Sequence, residues 1–117
     1  MRALIVEDEL LTALHLETEL EALNVQSIGI ACDRREAMAL ADALPDIAFI
    51  DVNLRDGPTG PDIARELSQK RVIVMFITAN PSQIPLEQRS LASVMPKPFS
   101  SEDLAAAIAG LRPRRVN

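Results

Sequence analysis

Ile47-Ala48-Phe49-Ile50-Asp51 is an unbroken apolar run closed by a single carboxylate, and Val72-Ile73-Val74-Met75-Phe76-Ile77-Thr78 repeats the form with a hydroxyl at its end. Apolar runs without alternation suit the central strands of a parallel sheet covered on both faces. Working outward, three further strand candidates are Ala3 to Val6, Gln26 to Ile30 and Ala92 to Met95. Between them, Ala13, Leu16, Leu20 and Leu23, then Ala37, Leu40, Ala41 and Leu44, recur at spacings of three and four. Those stripes predict amphipathic helices, and strand alternating with helix predicts a doubly wound α/β fold.

A third helix is expected from Pro61, a favoured first-turn residue, with Ile63 and Leu67 facing the sheet and Lys70 and Arg71 complementing its C-terminal dipole. The last helix carries Leu104, Ile108 and Leu111, with Ser100 or Ser101 as cap and Glu102 and Asp103 in its first turn. After the fourth strand, Pro81 and Pro85 remove backbone donors, so the fourth of about five helices should be short or distorted.

The chain has 117 residues, enough for one compact domain, and residues 1–117 are read as a single unit. A net charge of −5, three Phe and no Trp or Tyr supply neither the basic surface nor the stacking platforms of a nucleic-acid binder. Arg112, Arg114 and Arg115 form the one basic cluster and read as a solvated terminus. The apolar runs fall short of the roughly 20 residues of a spanning helix. A lone Cys32 offers no internal disulfide, and acids interrupt the opening apolar run, so no leader and a cytoplasmic location are expected.

In an open parallel sheet, ligands bind beyond the carboxyl ends of the strands. The residues there are Glu7 and Asp8 after the first run, Asp51 after the third, Thr78 after the fourth and Lys97 after the fifth. Three carboxylates, a hydroxyl and an ammonium are thus expected to converge. Neighbouring carboxylates repel unless a cation intervenes, and oxygen donors suit Mg2+. With a metal present, an oxygen of Asp51 could attack a phosphoryl group whose charge Lys97 and Thr78 would stabilise.

Val6-Glu7-Asp8-Glu9, Ile47-Ala48-Phe49-Ile50-Asp51, Thr78-Ala79 and Pro96-Lys97-Pro98-Phe99, in this order, resemble the response-regulator receiver family over Arg2 to about Leu111. The resemblance implies a flavodoxin-like five-stranded sheet of order 2-1-3-4-5. It makes Asp51 the phosphoacceptor and Lys97 and Thr78 the phosphoryl-binding residues. It also implies Mg2+ or Mn2+ held by Asp8, Asp51 and the Asn53 backbone carbonyl, with Glu7 acting through water, and it permits a cis peptide at Lys97-Pro98. A histidine kinase or histidine phosphotransfer protein would be the donor, docking near the first helix, and a downstream protein the target. A phosphorylation-dependent homodimer, and no direct nucleic-acid or membrane partner, complete the expectation. Such a protein is not an enzyme beyond accepting and losing its own phosphoryl group.

The chain departs from the family pattern at Val94, three residues before Lys97, where an aromatic switch residue is usual. The loop from Ala79 to Ser90 is therefore expected to report the event. Two alternatives compete: a receiver-fold binding module that is never phosphorylated, and a Mg2+-dependent phosphohydrolase similar to the haloacid dehalogenase type. The latter pairs its nucleophile with a second Asp two residues on, where this chain has Asn53. His15, without a second ligand, reads as a partly exposed helix residue, and Cys32 as a small packing residue.

Overall fold

In the computed structural model, which describes residues 1–89 and 92–111, β1 (Arg2–Val6), β2 (Gln26–Ala31), β3 (Ile47–Ile50), β4 (Ile73–Thr78) and β5 (Ser93–Pro96) form one sheet. The order is β2-β1-β3-β4-β5 and every pairing is parallel. The helices are α1 (Leu10–Ala22), α2 (Arg34–Ala41), α3 (Gly60–Gln69), α4 (Leu86–Arg89) and α5 (Ser101–Gly110). Ser90 and the Arg112, Arg114 and Arg115 cluster lie outside the described residues.

Successive strand side chains point to opposite faces, so each central strand feeds two cores. Leu4, Val6, Ala48, Ile50, Val74 and Phe76 pack with Ala37, Ala41, Ile63 and Leu67 of α2 and α3. Ala3, Ile5, Ile47, Phe49, Met75 and Ile77 pack with Ala13, Leu16, Leu20 and Leu104 of α1 and α5. This double burial is why β3 reads as continuous apolar sequence, and its observed bounds match the expected ones.

The fourth segment is broken as its prolines require. A 3-10 turn spans Pro81–Gln83 and α4 has only four residues. Ser100, rather than Ser101, caps α5 in a reciprocal box with Asp103, each side chain bonded to the other's backbone N–H. Two expectations need correction. Val72 and Ala92 lie just outside β4 and β5, whereas Thr78 and Pro96 are inside them. Leu44 does not extend the α2 stripe: the helix ends at Ala41, and Leu44 turns out at φ 57° and is 76% exposed. Pro45 follows it, and the residue before proline is disfavoured in the α region, so the turn into β3 must break the helix here.

Candidate functional site

The strand ladder carries one residue past β1 and β3, because Glu7 N–H donates to the Ala31 carbonyl at 2.8 Å and Asp51 N–H to the Val6 carbonyl at 3.0 Å. Adjacent parallel strands thus deliver Glu7 and Asp51 side by side. Lys97 arrives from β5, with its backbone N–H on the Thr78 carbonyl at 2.9 Å and a cis peptide linking it to Pro98. Its ammonium bridges the two acids, donating to Asp51 Oδ2 at 2.8 Å and to Glu7 Oε1. Asp51 Oδ1 accepts the Val52 N–H at 2.7 Å, and Glu7 Oε2 accepts the Glu9 N–H at 3.2 Å.

The three side chains are 21% (Lys97), 7% (Glu7) and 14% (Asp51) exposed, so the cluster is shielded but open on one side. Burial pushes the Glu7 carboxyl above its ordinary value, against the hydrogen bond from Lys97. Burial alone would lower the Lys97 ammonium, but hydrogen bonds to Asp51 and then Glu7 outweigh it and the group is raised. Lys97 therefore remains a cation, hydrogen-bonded to both acids.

Of the five residues expected at the strand ends, Glu7, Asp51 and Lys97 are joined by hydrogen bonds, and Asp8 and Thr78 take no part in that network. Asp8 is exposed and its carboxylate takes no hydrogen bond or ion pair among the described residues. One ammonium cannot compensate a third buried carboxylate, so Asp8 stays in water. Thr78 is buried at the end of β4, where its hydroxyl oxygen accepts the Asn80 N–H at 3.0 Å rather than meeting Asp51 or Lys97. Asn53 is exposed, and its side-chain amide donates to Gln83 Oε1 at 2.7 Å.

Among the described residues no three His, Cys, Asp or Glu side chains form a ready metal cage, since Glu7 and Asp51 both turn onto Lys97. The chemistry of the donors nonetheless fits Mg2+, which takes one or two carboxylates, carbonyl oxygen and water rather than a dedicated cage. Asp8, Asp51 and the Asn53 carbonyl lie on the loops after two paired strands and are the groups that could be drawn into such a set.

Two contributors have no signature in the sequence. Gly60 opens α3 against the backbone of Asp51, and a Cβ placed on it would lie 2.1 Å from the Asp51 carbonyl oxygen. Gln83 holds Asn53 from the fourth segment. His15 is exposed on α1 and stacks on Phe99, with ring centroids 5.9 Å apart and planes at 30°. Cys32 is half-buried just beyond β2, and burial, then Glu36, pushes its thiol upward, away from nucleophilic character.

A family model for the response regulator receiver domain matches residues 3–109. The chain is 37% identical over 109 residues to the phyllosphere-induced regulator PhyR of Methylorubrum extorquens, covering 90% of this chain and 41% of that protein. It is 35% identical over 114 residues to the transcriptional regulatory protein PdtaR of Mycobacterium tuberculosis, covering 92% and 54%. The solution structure of the Erythrobacter litoralis PhyR response regulator REC domain superposes with a TM-score of 0.83 at 31% identity, covering 92% of this chain and 86% of that one. The chain thus spans about half the length of these two curated relatives.

Proposed function

We propose, on the premise that this chain belongs to the response regulator receiver domain family, that Asp51 accepts a phosphoryl group from a phosphohistidine donor and that the change is read by a protein partner. Members of this family are signalling proteins rather than classical enzymes. The observation that carries the residue assignment is the Lys97 ammonium set 2.8 Å from Asp51 Oδ2, with Asp51 Oδ1 held by a backbone N–H.

An Asp51 oxygen attacks phosphorus, the P–N bond to the donor imidazole breaks with its electron pair leaving on nitrogen, and an acyl phosphate forms. Lys97 shifts from the carboxylate to the phosphoryl oxygens, where an ammonium in a shielded site stabilises developing charge. The Thr78 oxygen accepts from Asn80, which leaves its own O–H hydrogen for a phosphoryl oxygen. When bound, Mg2+ would be held by Asp8, Asp51 and the Asn53 carbonyl, with Glu7 through water, and would supply further charge neutralisation. Attack by water on the acyl phosphate returns Asp51 to its starting state.

For donor docking, α1 exposes Leu10, Leu11 and Leu14 beside the site. A groove of about 560 Å3 lined by Leu11, His15, Ala79, Lys97 and Phe99 lies between that helix and the residues around Lys97. An apolar helix surface of a histidine kinase or phosphotransfer protein suits it. The phosphoryl group adds about −1.5 to −2 charge, and the segment from Pro81 to Arg89 carries the response to a downstream protein.

Intact-mass measurement after incubation with acetyl phosphate and Mg2+ tests the reading. A phosphate adduct is expected in the wild type, absent in Asp51→Asn and in a metal-free control. An adduct that survives Asp51→Asn overturns the assignment of Asp51 as acceptor, and no adduct and no acetyl phosphate turnover under any condition sinks the reading and leaves a constitutive binding module.

A further inference from the structure

The backbone after Asp51 is pinned on either side of Asn53. The Val52 N–H is held by Asp51 Oδ1, and the Val52 carbonyl accepts the Gly60 N–H at 3.0 Å. The Leu54 N–H donates to the Gly57 carbonyl at 2.8 Å, and the Arg55 N–H to the Cys32 carbonyl at 3.1 Å. Asn53 differs: its own N–H and carbonyl make no hydrogen bond among the described residues. What holds it is its side chain, through Gln83.

Gln83 ends the 3-10 turn of a segment that is tied into one unit. Arg89 reaches back from α4, donating from Nε to the Ile84 carbonyl and from Nη2 to the Pro81 carbonyl, each at 3.1 Å. A second glutamine anchors the unit. Gln88 is buried and donates from Nε2 to the Pro61 carbonyl at 3.0 Å, at the start of α3. The buried amide works as a fixed attachment, because breaking it strands a donor out of reach of water. The exposed Asn53–Gln83 bond can exchange with water at little cost and is the contact able to open and close.

We infer that Gln83 is a positioning residue for the Asn53 carbonyl, and that the Asn53–Gln83 amide pair couples cation binding beside Asp51 to the conformation of the segment from Pro81 to Arg89. The inference rests on the metal-site reading above. A cation on the carbonyl orders Asn53 and favours the closed pair, and by reciprocity the closed pair favours the cation. The route runs over the surface from the β3–α3 loop to the fourth segment. It needs no rotating ring, consistent with Val94 standing where an aromatic is usual.

The test compares wild type, Asp51→Asn, Gln83→Ala, Asn53→Ala and the Asn53→Ala/Gln83→Ala double variant. Mg2+ affinity is measured by calorimetry, and amide exchange of residues 82–89 is followed with and without Mg2+. Asn53→Ala keeps the backbone carbonyl and removes only the latch. Gln83→Ala and Asn53→Ala should each weaken Mg2+ binding by about threefold, the worth of one exposed hydrogen bond, and the double variant no further. The Mg2+-induced change in exchange should vanish in Gln83→Ala, while its unfolding midpoint stays at the wild-type value because the side chain is exposed. If either readout in Gln83→Ala matches wild type, the latch is wrong although the metal site stands. Wild type that binds no Mg2+, or Asp51→Asn that binds it equally well, overturns the metal-site reading and the latch with it.

Discussion

Replacing Gly60 by Ala isolates how closely α3 is seated on the backbone that carries Asp51. An added Cβ would lie 2.1 Å from the Asp51 carbonyl oxygen, 2.7 Å from Val52 Cα and 2.9 Å from the Asp51 carbonyl carbon. All three neighbours are backbone, so no side chain can swing aside, and restoring normal contact distances forces a displacement of roughly 1 Å, of the kind that overpacking imposes. Overpacking costs about 1–3 kcal/mol, and Gly to Ala within a helix returns about 0.5–1 kcal/mol. The net expectation is a loss of up to about 2.5 kcal/mol, read from urea unfolding. Since misplacing a reacting group by about 1 Å costs on the order of 10²-fold, labelling by acetyl phosphate should slow by a similar factor. Gly110 near the end of α5 is the control, because a Cβ there meets nothing within 4 Å. Gly110→Ala should be neutral or stabilising by up to about 1 kcal/mol. Gly60→Ala that unfolds at the wild-type midpoint and is labelled at the wild-type rate would show that α3 is not seated tightly on the Asp51 backbone.

Lys97→Met should slow labelling by acetyl phosphate by about 10²-fold through loss of the ammonium, while calorimetry shows Mg2+ binding tightened because the competing cation on Asp51 and Glu7 is gone. Ser100→Ala removes the reciprocal cap of α5 and should cost about 1 kcal/mol in urea unfolding, with Ser100→Asp retaining most of it. Asp33 is held below its ordinary 3.8 by the hydrogen bond from Arg55 and then by the Glu36 N–H it caps. Because the folded value is depressed, its stabilisation is present above pH 3.8 and is lost as pH falls through the folded value. Thermal melts of wild type and Asp33→Ala should therefore differ by a few degrees near neutrality and converge in acid, and a gap independent of pH would contradict the assignment.

Most of the fold was legible because burial on both faces leaves a plain trace. Ile47 to Ile50 is apolar at every position since odd residues meet α1 and α5 while even ones meet α2 and α3. The prolines of the fourth segment were equally readable, as each removes a donor whatever its surroundings. Errors arose where the pattern outran the element. Leu44 keeps the helical spacing of α2 but falls beyond its end, where the chain turns toward β3. The apolar runs stop immediately before Thr78 and Pro96, whereas the ends of these strands are set by mutual pairing, Thr78 lying opposite Pro96.

The alternation of strand and helix, the family, and the polar residues at strand ends can all be read from the amino-acid order, since they follow from local periodicity and from residue types in sequence. Which of those residues meet depends on how the elements pack. Glu7 and Lys97 are 90 positions apart and Asp51 and Lys97 are 46 apart, and the sheet brings all three together. The same packing leaves Asp8 in water and turns the Thr78 hydroxyl to Asn80. It presses Gly60 onto the Asp51 backbone and sets Gln83 against Asn53, contacts specified by distances between elements that no local pattern encodes. The physical reason is that periodicity records only whether a side chain faces core or solvent, whereas a charged or hydrogen-bonded partner is chosen by geometry and by the cost of leaving a buried group unpaired.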